Sequence, residues 1–247
     1  VVTNVPPGAV NDGNPAITLD GQSGFAAIPF RTLLNQPSFT VEAWVLIASG
    51  VPFEGRQPIV SSLNSLASAG LSGGAGFVLA VGFSGGNTID FQITVFARNL
   101  QDGTQPSVTL TAPAPEGILL SDYNYVVASI DGQEQVLRLY INGKLEAALD
   151  LLNHPLGPFV YISNTDSSLG LPLLIGKSPT LIPPGDNIFL KGSIDEVAVY
   201  SYRLPDLRIQ THFLVAQAIP APTPQPAPTA PEPTPAPIPT PTPIPVP

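Results

Sequence analysis

From Pro220 to Pro247 prolines fill 14 of 28 positions, and this one feature dictates where a folded domain has to stop. Proline locks φ and has no backbone N–H, so the stretch can enter neither a helix interior nor a regular strand ladder. The expectation is an extended polyproline II tail over 219–247, spanning roughly 85 Å at about 3.1 Å per residue. All 22 glycines lie at or before Gly192, so the change in composition is sharp. Glu232 is the tail's single charge, and Thr223, Thr229, Thr234, Thr240 and Thr242 are candidate O-glycan carriers. A stiff polyproline II segment docks well into grooves. The stretch from Pro220 to Pro247 is therefore expected to pack on its own domain or on neighbouring copies. At the other end Val1, Val2 and Val5 form a short apolar arm ahead of Pro6 and Pro7. Two readings stand for it: an edge strand added to another subunit, or a frayed terminus. The expected division is an arm at 1–15, a domain at 16–218 and the tail at 219–247.

Within the domain, short alternating segments are separated by Gly, Pro, Asn and Asp clusters, as in a sandwich of many strands. Phe39, Val41, Ala43, Val45 and Ile47 point one way and Thr40, Glu42 and Trp44 the other, the period of a half-buried strand. Ile89, Phe91, Ile93 and Val95 alternate with Asp90, Gln92 and Thr94 in the same manner. Asp131-Gly132 and Asn142-Gly143 sit between alternating apolar runs and predict tight turns at positive φ, hence a three-strand meander. Further strands are expected at 16–19, 25–28, 58–63, 76–81, 108–111, 173–175 and 194–200. One helix is expected after Leu204, with Pro205 and Asp206 in its first turn and Ile209, Phe213 and Ala216 as its buried stripe. The fold class is all-β: two packed antiparallel sheets and one short C-terminal helix.

Three segments carry a family likeness. FTVEAWV at 39–45, YVVASIDGQEQVLRLYINGKL at 125–145 and GSIDEVAVYSYRLPDLRI at 192–209 resemble, in that order, the laminin-G-like branch of the concanavalin A-like lectin/glucanase superfamily. ITLDGQSGFAAIP at 17–29 resembles its opening strand pair. The resemblance implies a jelly-roll sandwich, a scaffold that carries lectins, glycosidases, adhesion modules and spacers alike. It implies a structural calcium ion as an option, on Asp20 and Asp195 with help from Asn11 or Asp12; calcium takes six to eight oxygens. The other reading of these residues is acidic turn and strand positions with no metal, so no cofactor is required. The resemblance also implies sugar stacking on exposed aromatics, with Trp44, Tyr123 and Tyr125 as candidates and Tyr161 and Tyr202 behind them. Trp44 is open to a second reading as a core residue.

Catalytic sets are missing from the pattern. The Glu-x-Asp-x-x-Glu arrangement of the superfamily's glycosidases does not occur. Asp195 and Glu196 are adjacent on an expected strand and so face opposite sides. His154 and His212 have no His or carboxylate at triad or ligand spacing, and Ser49, Ser61 and Ser193 lack a Gly-x-Ser-x-Gly context. Cysteine is absent, which removes disulfides and thiol chemistry. A net charge of -9 argues against a nucleic-acid partner, and no apolar run is long enough for membrane insertion.

Charged residues make up 11% of the chain, against about 25% in an ordinary soluble domain, which suggests a covered surface. The leading expectation is a non-enzymatic structural protein, secreted or at the cell surface with its leader removed, that assembles with copies of itself into a filament or surface layer. The alternative is a carbohydrate-binding adhesion module on a Pro-rich stalk, with glycans as partners.

Overall fold

A computed structural model of the protein describes residues 8–10, 12, 14–48, 55–65, 74–83, 89–116, 122–163, 172–179 and 188–218. The expectations for Val1, Val2, Val5, Asn11 and the tail fall outside the described residues. In chain order the strands are β1 (Ile17–Asp20), β2 (Ala26–Ile28), β3 (Phe39–Ile47), β4 (Gln57–Ser65), β5 (Gly74–Phe83) and β6 (Ile89–Asn99). They continue with β7 (Ser107–Pro113), β8 (Asn124–Ile130), β9 (Val136–Ile141), β10 (Lys144–Asp150), β11 (Phe159–Tyr161), β12 (Leu173–Ile175) and β13 (Lys191–Tyr200). One α-helix among the described residues, α1 (Asp206–Ala218), follows. The short strand β11 and a turn of 3-10 helix at Thr32–Leu34 had no signature in the sequence.

The strands form two antiparallel sheets. One has six strands in the order β1-β13-β3-β8-β9-β10. The other has seven, in the order β11-β6-β5-β4-β12-β2, with β7 alongside β6. Between them lies the main core, to which β3 sends Phe39, Val41, Ala43, Val45 and Ile47, and β5 sends Phe77, Leu79 and Val81. Phe39 and Phe77 stack across the sandwich with ring centroids 4.5 Å apart. Burying such side chains contributes about 1.5–3 kcal/mol each, and this drives the sheets together.

Local signals succeed where the chain reverses tightly. Asn142 (φ 50°) and Gly143 (φ 79°) form the expected two-residue turn between β9 and β10. The Asp131-Gly132 expectation is corrected: residues 131–135 make a longer connection from β8 to β9, with positive φ at Gln135 (φ 53°). Its cause is the Asp131 carboxylate, which accepts the amides of Gln133 and Glu134 and so nucleates a wider turn.

The other side of β3 is not the half-exposed face that its alternation suggests. Thr40, Glu42 and Trp44 are all buried, because α1 lies over them. Thr40 Oγ1 donates to the Tyr202 carbonyl at 3.0 Å and accepts the Leu204 amide at 2.8 Å, pinning the chain as it enters the helix. Trp44, Tyr125, Val127, Tyr140, Leu204 and Ile209 make a second apolar cluster there, with Phe213 and Ala216 packed on it. Val10, placed in the arm by the sequence, also belongs to this cluster.

Candidate functional site

Two of the three expected stacking aromatics are closed off. Trp44 and Tyr125 are buried, with ring centroids 5.1 Å apart, and the Phe213 ring of α1 stacks on both at 5.8 and 6.3 Å. This corrects the stacking expectation, since a sugar cannot reach a ring face that a helix covers. Tyr123 is half-buried against the same cluster, and burial pushes its phenol up. Tyr161 is buried and donates to Asn35 Oδ1, while Tyr202 is exposed.

The covered side instead holds a polar knot. Glu42 accepts hydrogen bonds from Tyr125 Oη at 2.6 Å and Tyr200 Oη at 2.9 Å, and its Oε2 lies 3.1 Å from His212 Nδ1 of α1. Burial, then the neighbouring Glu42 charge, drives the Tyr125 phenol far above its ordinary range and the Tyr200 phenol up to about 12. Glu42 and His212 are 170 residues apart, so no spacing rule could pair them. The knot locks α1 to the sheet, with Glu42 and Tyr125 buried at its centre.

Asp20 and Asp195 are not brought together. Antiparallel pairing sets Asp20 opposite Lys191, four residues before Asp195 on β13, or about 13 Å along the strand. Asp20 Oδ1 accepts the amides of Gln22, Ser23 and Gly24, and Oδ2 accepts the Ser23 hydroxyl. Those bonds, the Ser23 amide first, hold its carboxyl well below the usual range and close a turn. Asp195 Oδ2 accepts the Ala9 amide at 2.7 Å. A Cβ on Gly8 would lie 2.5 Å from both Asn14 O and Asp195 Oδ2, so glycine lets the opening segment pack on β13. Asp12 caps the Asn14 amide. No three acidic or histidine side chains converge among the described residues. The residues present therefore do not fit a calcium site shared by Asp20 and Asp195. A bulge at this point, with Glu196 at φ 49°, also interrupts the strict alternation expected of Asp195 and Glu196.

The outer face of the seven-stranded sheet offers a different surface. With Phe91, Ile93, Val95 and Ala97 of β6 in the core, Asp90, Gln92, Thr94, Phe96 and Arg98 point outward. Register sets Thr111 of β7 beside Gln92 and Thr109 beside Thr94, while Ala80 and Val78 of β5 flank the other side. The side chains form one hydrogen-bonded row. Gln92 Nε2 donates to Asp90 Oδ1 at 2.7 Å, Arg56 Nη1 reaches Gln92 Oε1 and Thr94 Oγ1 at 3.4 Å each, and the Thr94 and Thr109 hydroxyls are 2.9 Å apart. A Cβ on Gly82 would lie 2.3 Å from Asp90 Oδ1, so glycine leaves the carboxylate its place.

Phe96 packs with Leu63, Val78 and Ala80 into an apolar floor, whereas Ser107, Thr109, Thr111 and Pro113 are exposed. At the end of the row Arg98 and Val160 line a recess of about 310 Å³. Amide, guanidinium and hydroxyl groups on a rigid strand beside an aromatic ring suit a ligand rich in hydroxyls. The alternation of Asp90, Gln92 and Thr94 was legible in the sequence as a strand pattern only. Their convergence with Arg56 and Thr109 depends on pairing across three strands.

Two antiparallel sheets of this order, one backed by a helix and one presenting a polar row that runs from the buried Asp90 to the exposed Thr109, define a lectin-type jelly roll. The match of residues 20–210 to the laminin-G-type family described as concanavalin A-like lectin/glucanases superfamily places the chain in that superfamily, to which it belongs. No curated protein matches it in sequence. Among solved structures it is similar to the CBM40 of the Ruminococcus gnavus IT-sialidase bound to α2,3-sialyllactose, at TM-score 0.52 and 18% identity, over 80% of this chain and 95% of that one. A native heptameric SAP-like pentraxin from Limulus polyphemus is similar at TM-score 0.50 and 16% identity, over 79% of this chain and 80% of that one. A putative carbohydrate binding protein from Bacteroides ovatus is similar at TM-score 0.50 and 17% identity, over 79% of this chain and 45% of that one.

Proposed function

We propose that the domain is a non-catalytic carbohydrate-binding module of an extracellular adhesion protein, and that its glycan lies on the outer face of the seven-stranded sheet. The observation that carries this reading is the row Asp90-Gln92-Arg56-Thr94-Thr109. Its groups are already oriented by one another, and pre-ordered donors and acceptors lose little freedom when a ligand arrives. The likeness to carbohydrate-binding domains supports it. Past its first few residues the Pro-rich segment then serves as a stalk, with O-linked sugar on its threonines.

A glycan array followed by calorimetry tests the reading. Gln92→Ala removes a donor and an acceptor and is expected to weaken binding of the array's best glycan at least tenfold, with a destabilisation of about 1–3 kcal/mol from the buried Asp90 carboxylate it leaves without that donor. Full affinity in Gln92→Ala and in Thr109→Val, or an array with no bound glycan, would refute it.

Self-assembly into a filament or surface layer is the second reading, and the low charge content favours it. Solution mass separates the two: a monomer at high concentration that binds glycan leaves only the first.

A further inference from the structure

Helix α1 carries two apolar stripes where a surface helix ordinarily has one. Ile209, Phe213 and Ala216 face the six-stranded sheet. Leu207 and Leu214, seven residues apart and so on a common face, are 74% and 55% exposed. Beside them the Asn142-Gly143 turn ends in Leu145, which is 42% exposed. Between this turn and the helix runs a groove of about 480 Å³, walled by Leu145, Leu207, Phe213 and Leu214 and edged by Lys144 and Gln210.

We propose that this groove seats the first six or seven residues of the chain's own Pro-rich tail (219–247), which turn back at the end of α1 and lie along the helix as polyproline II. The inference is independent of the glycan reading. Three features select this occupant. The first is reach: the tail starts one residue beyond Ala218, and the groove runs back along the helix from Leu214 to Asp206. That groove lies about 6 to 18 Å from the helix end at 1.5 Å per residue. Six or seven tail residues at about 3.1 Å each cover that distance after a short turn, and 29 are available.

The second is chemistry. Alternate prolines leave a run of carbonyl oxygens with few N–H groups between them, and the tail has one charge in its whole length. The groove matches this with leucine walls and with donors at its edge, Lys144 Nζ and Gln210 Nε2. The third is tethering, since an attached segment competes at an effective concentration in the millimolar range. A second copy docking through these few side chains would fall far short of the roughly 20–30 residues a side that stable interfaces use.

The chain has no cysteine, so a spin label can be placed at a single site. The test uses the full chain, isotope-labelled, with Thr229→Cys, just past the seated stretch, carrying a nitroxide. Broadening of amide signals is expected at Gly143, Lys144 and Gln210 well above that at Thr109 on β7, unchanged by tenfold dilution. It is expected to be lost in Leu214→Asp, a substitution on an exposed position. Equal broadening at the groove and at Thr109, or persistence in Leu214→Asp, would overturn the proposal. Broadening that requires mixing spin-labelled with isotope-labelled chains would assign the groove to another copy and overturn it as well.

Discussion

Replacing Glu42 by Gln keeps the side-chain volume and removes the charge at the centre of the knot that holds α1. The carboxylate accepts from two phenols, at 2.6 Å from Tyr125 and 2.9 Å from Tyr200. Hydrogen bonds to a charged acceptor contribute about 1.5–3 kcal/mol each. Glutamine keeps one acceptor oxygen and turns an amide N–H toward the second phenol, so one such bond is lost and one is weakened. The expected destabilisation is about 2–3 kcal/mol, or roughly 5–10 °C in Tm for a domain of this size. Trp44 is the chain's single tryptophan and lies in the same cluster, so urea unfolding followed by its fluorescence reads the site directly. The counter-argument is that a buried carboxylate suffers a desolvation cost that can cancel its bonds. A Glu42→Gln chain as stable as the parent, or more so, would refute the view that the charge clamps the helix. The phenols give a second readout: without the Glu42 charge, Tyr125 and Tyr200 should ionise at lower pH than in the parent.

Other outcomes follow from the same geometry. Gly76 sits at φ 109°, and a Cβ there would lie 1.7 Å from the Ser62 carbonyl and 2.9 Å from Asn35 Nδ2, so Gly76→Ala should cost about 3 kcal/mol or more in urea unfolding. Burial raises the phenols of Tyr125, Tyr140 and Tyr161, and Tyr200 to about 12. Stability from these groups is therefore complete below the unfolded value of about 10 and is lost as pH rises from there toward 12. Phenolate absorbance should accordingly lag behind that of free tyrosine until circular dichroism reports unfolding, and early titration of all six tyrosines in a folded chain would contradict it. Asp20 has the opposite sign: its lowered carboxyl contributes stability above about pH 4 that disappears as pH falls through the folded value. Thermal unfolding should separate Asp20→Asn from the parent near neutral pH, with the gap narrowing in strong acid.

Much of the fold could be read residue by residue. The alternation at Phe39–Ile47 and Ile89–Val95, the Asn142-Gly143 turn and the helix start at Pro205-Asp206 all reflect local sterics or a local period, and each stands where expected. The failures share one origin. Strand β11 has only three residues, and it exists because Phe159–Tyr161 meet the free edge of β6 beyond β7. The Asp131-Gly132 pair was misjudged because a side-chain acceptor competed with the tight turn. Trp44 and Tyr125 looked like stacking platforms because nothing in β3 or β8 reveals that a helix some 160 residues beyond Trp44 lies on their outer face.

The sequence by itself determined the two-residue period of the strands, the amphipathic stripe of α1 and the Asn142-Gly143 reversal. These are properties of single residues and near neighbours, where φ/ψ sterics and side-chain direction act without reference to the rest of the chain. Tertiary structure alone decided which outer face the helix closes. Helix α1 closes the side of Thr40, Glu42 and Trp44, and strand register lines up Asp90, Gln92, Thr94 and Thr109 with Arg56. Exposure and hydrogen-bond partnership belong to the element that packs opposite a residue, and that element is brought there by burial of apolar surface across the whole chain.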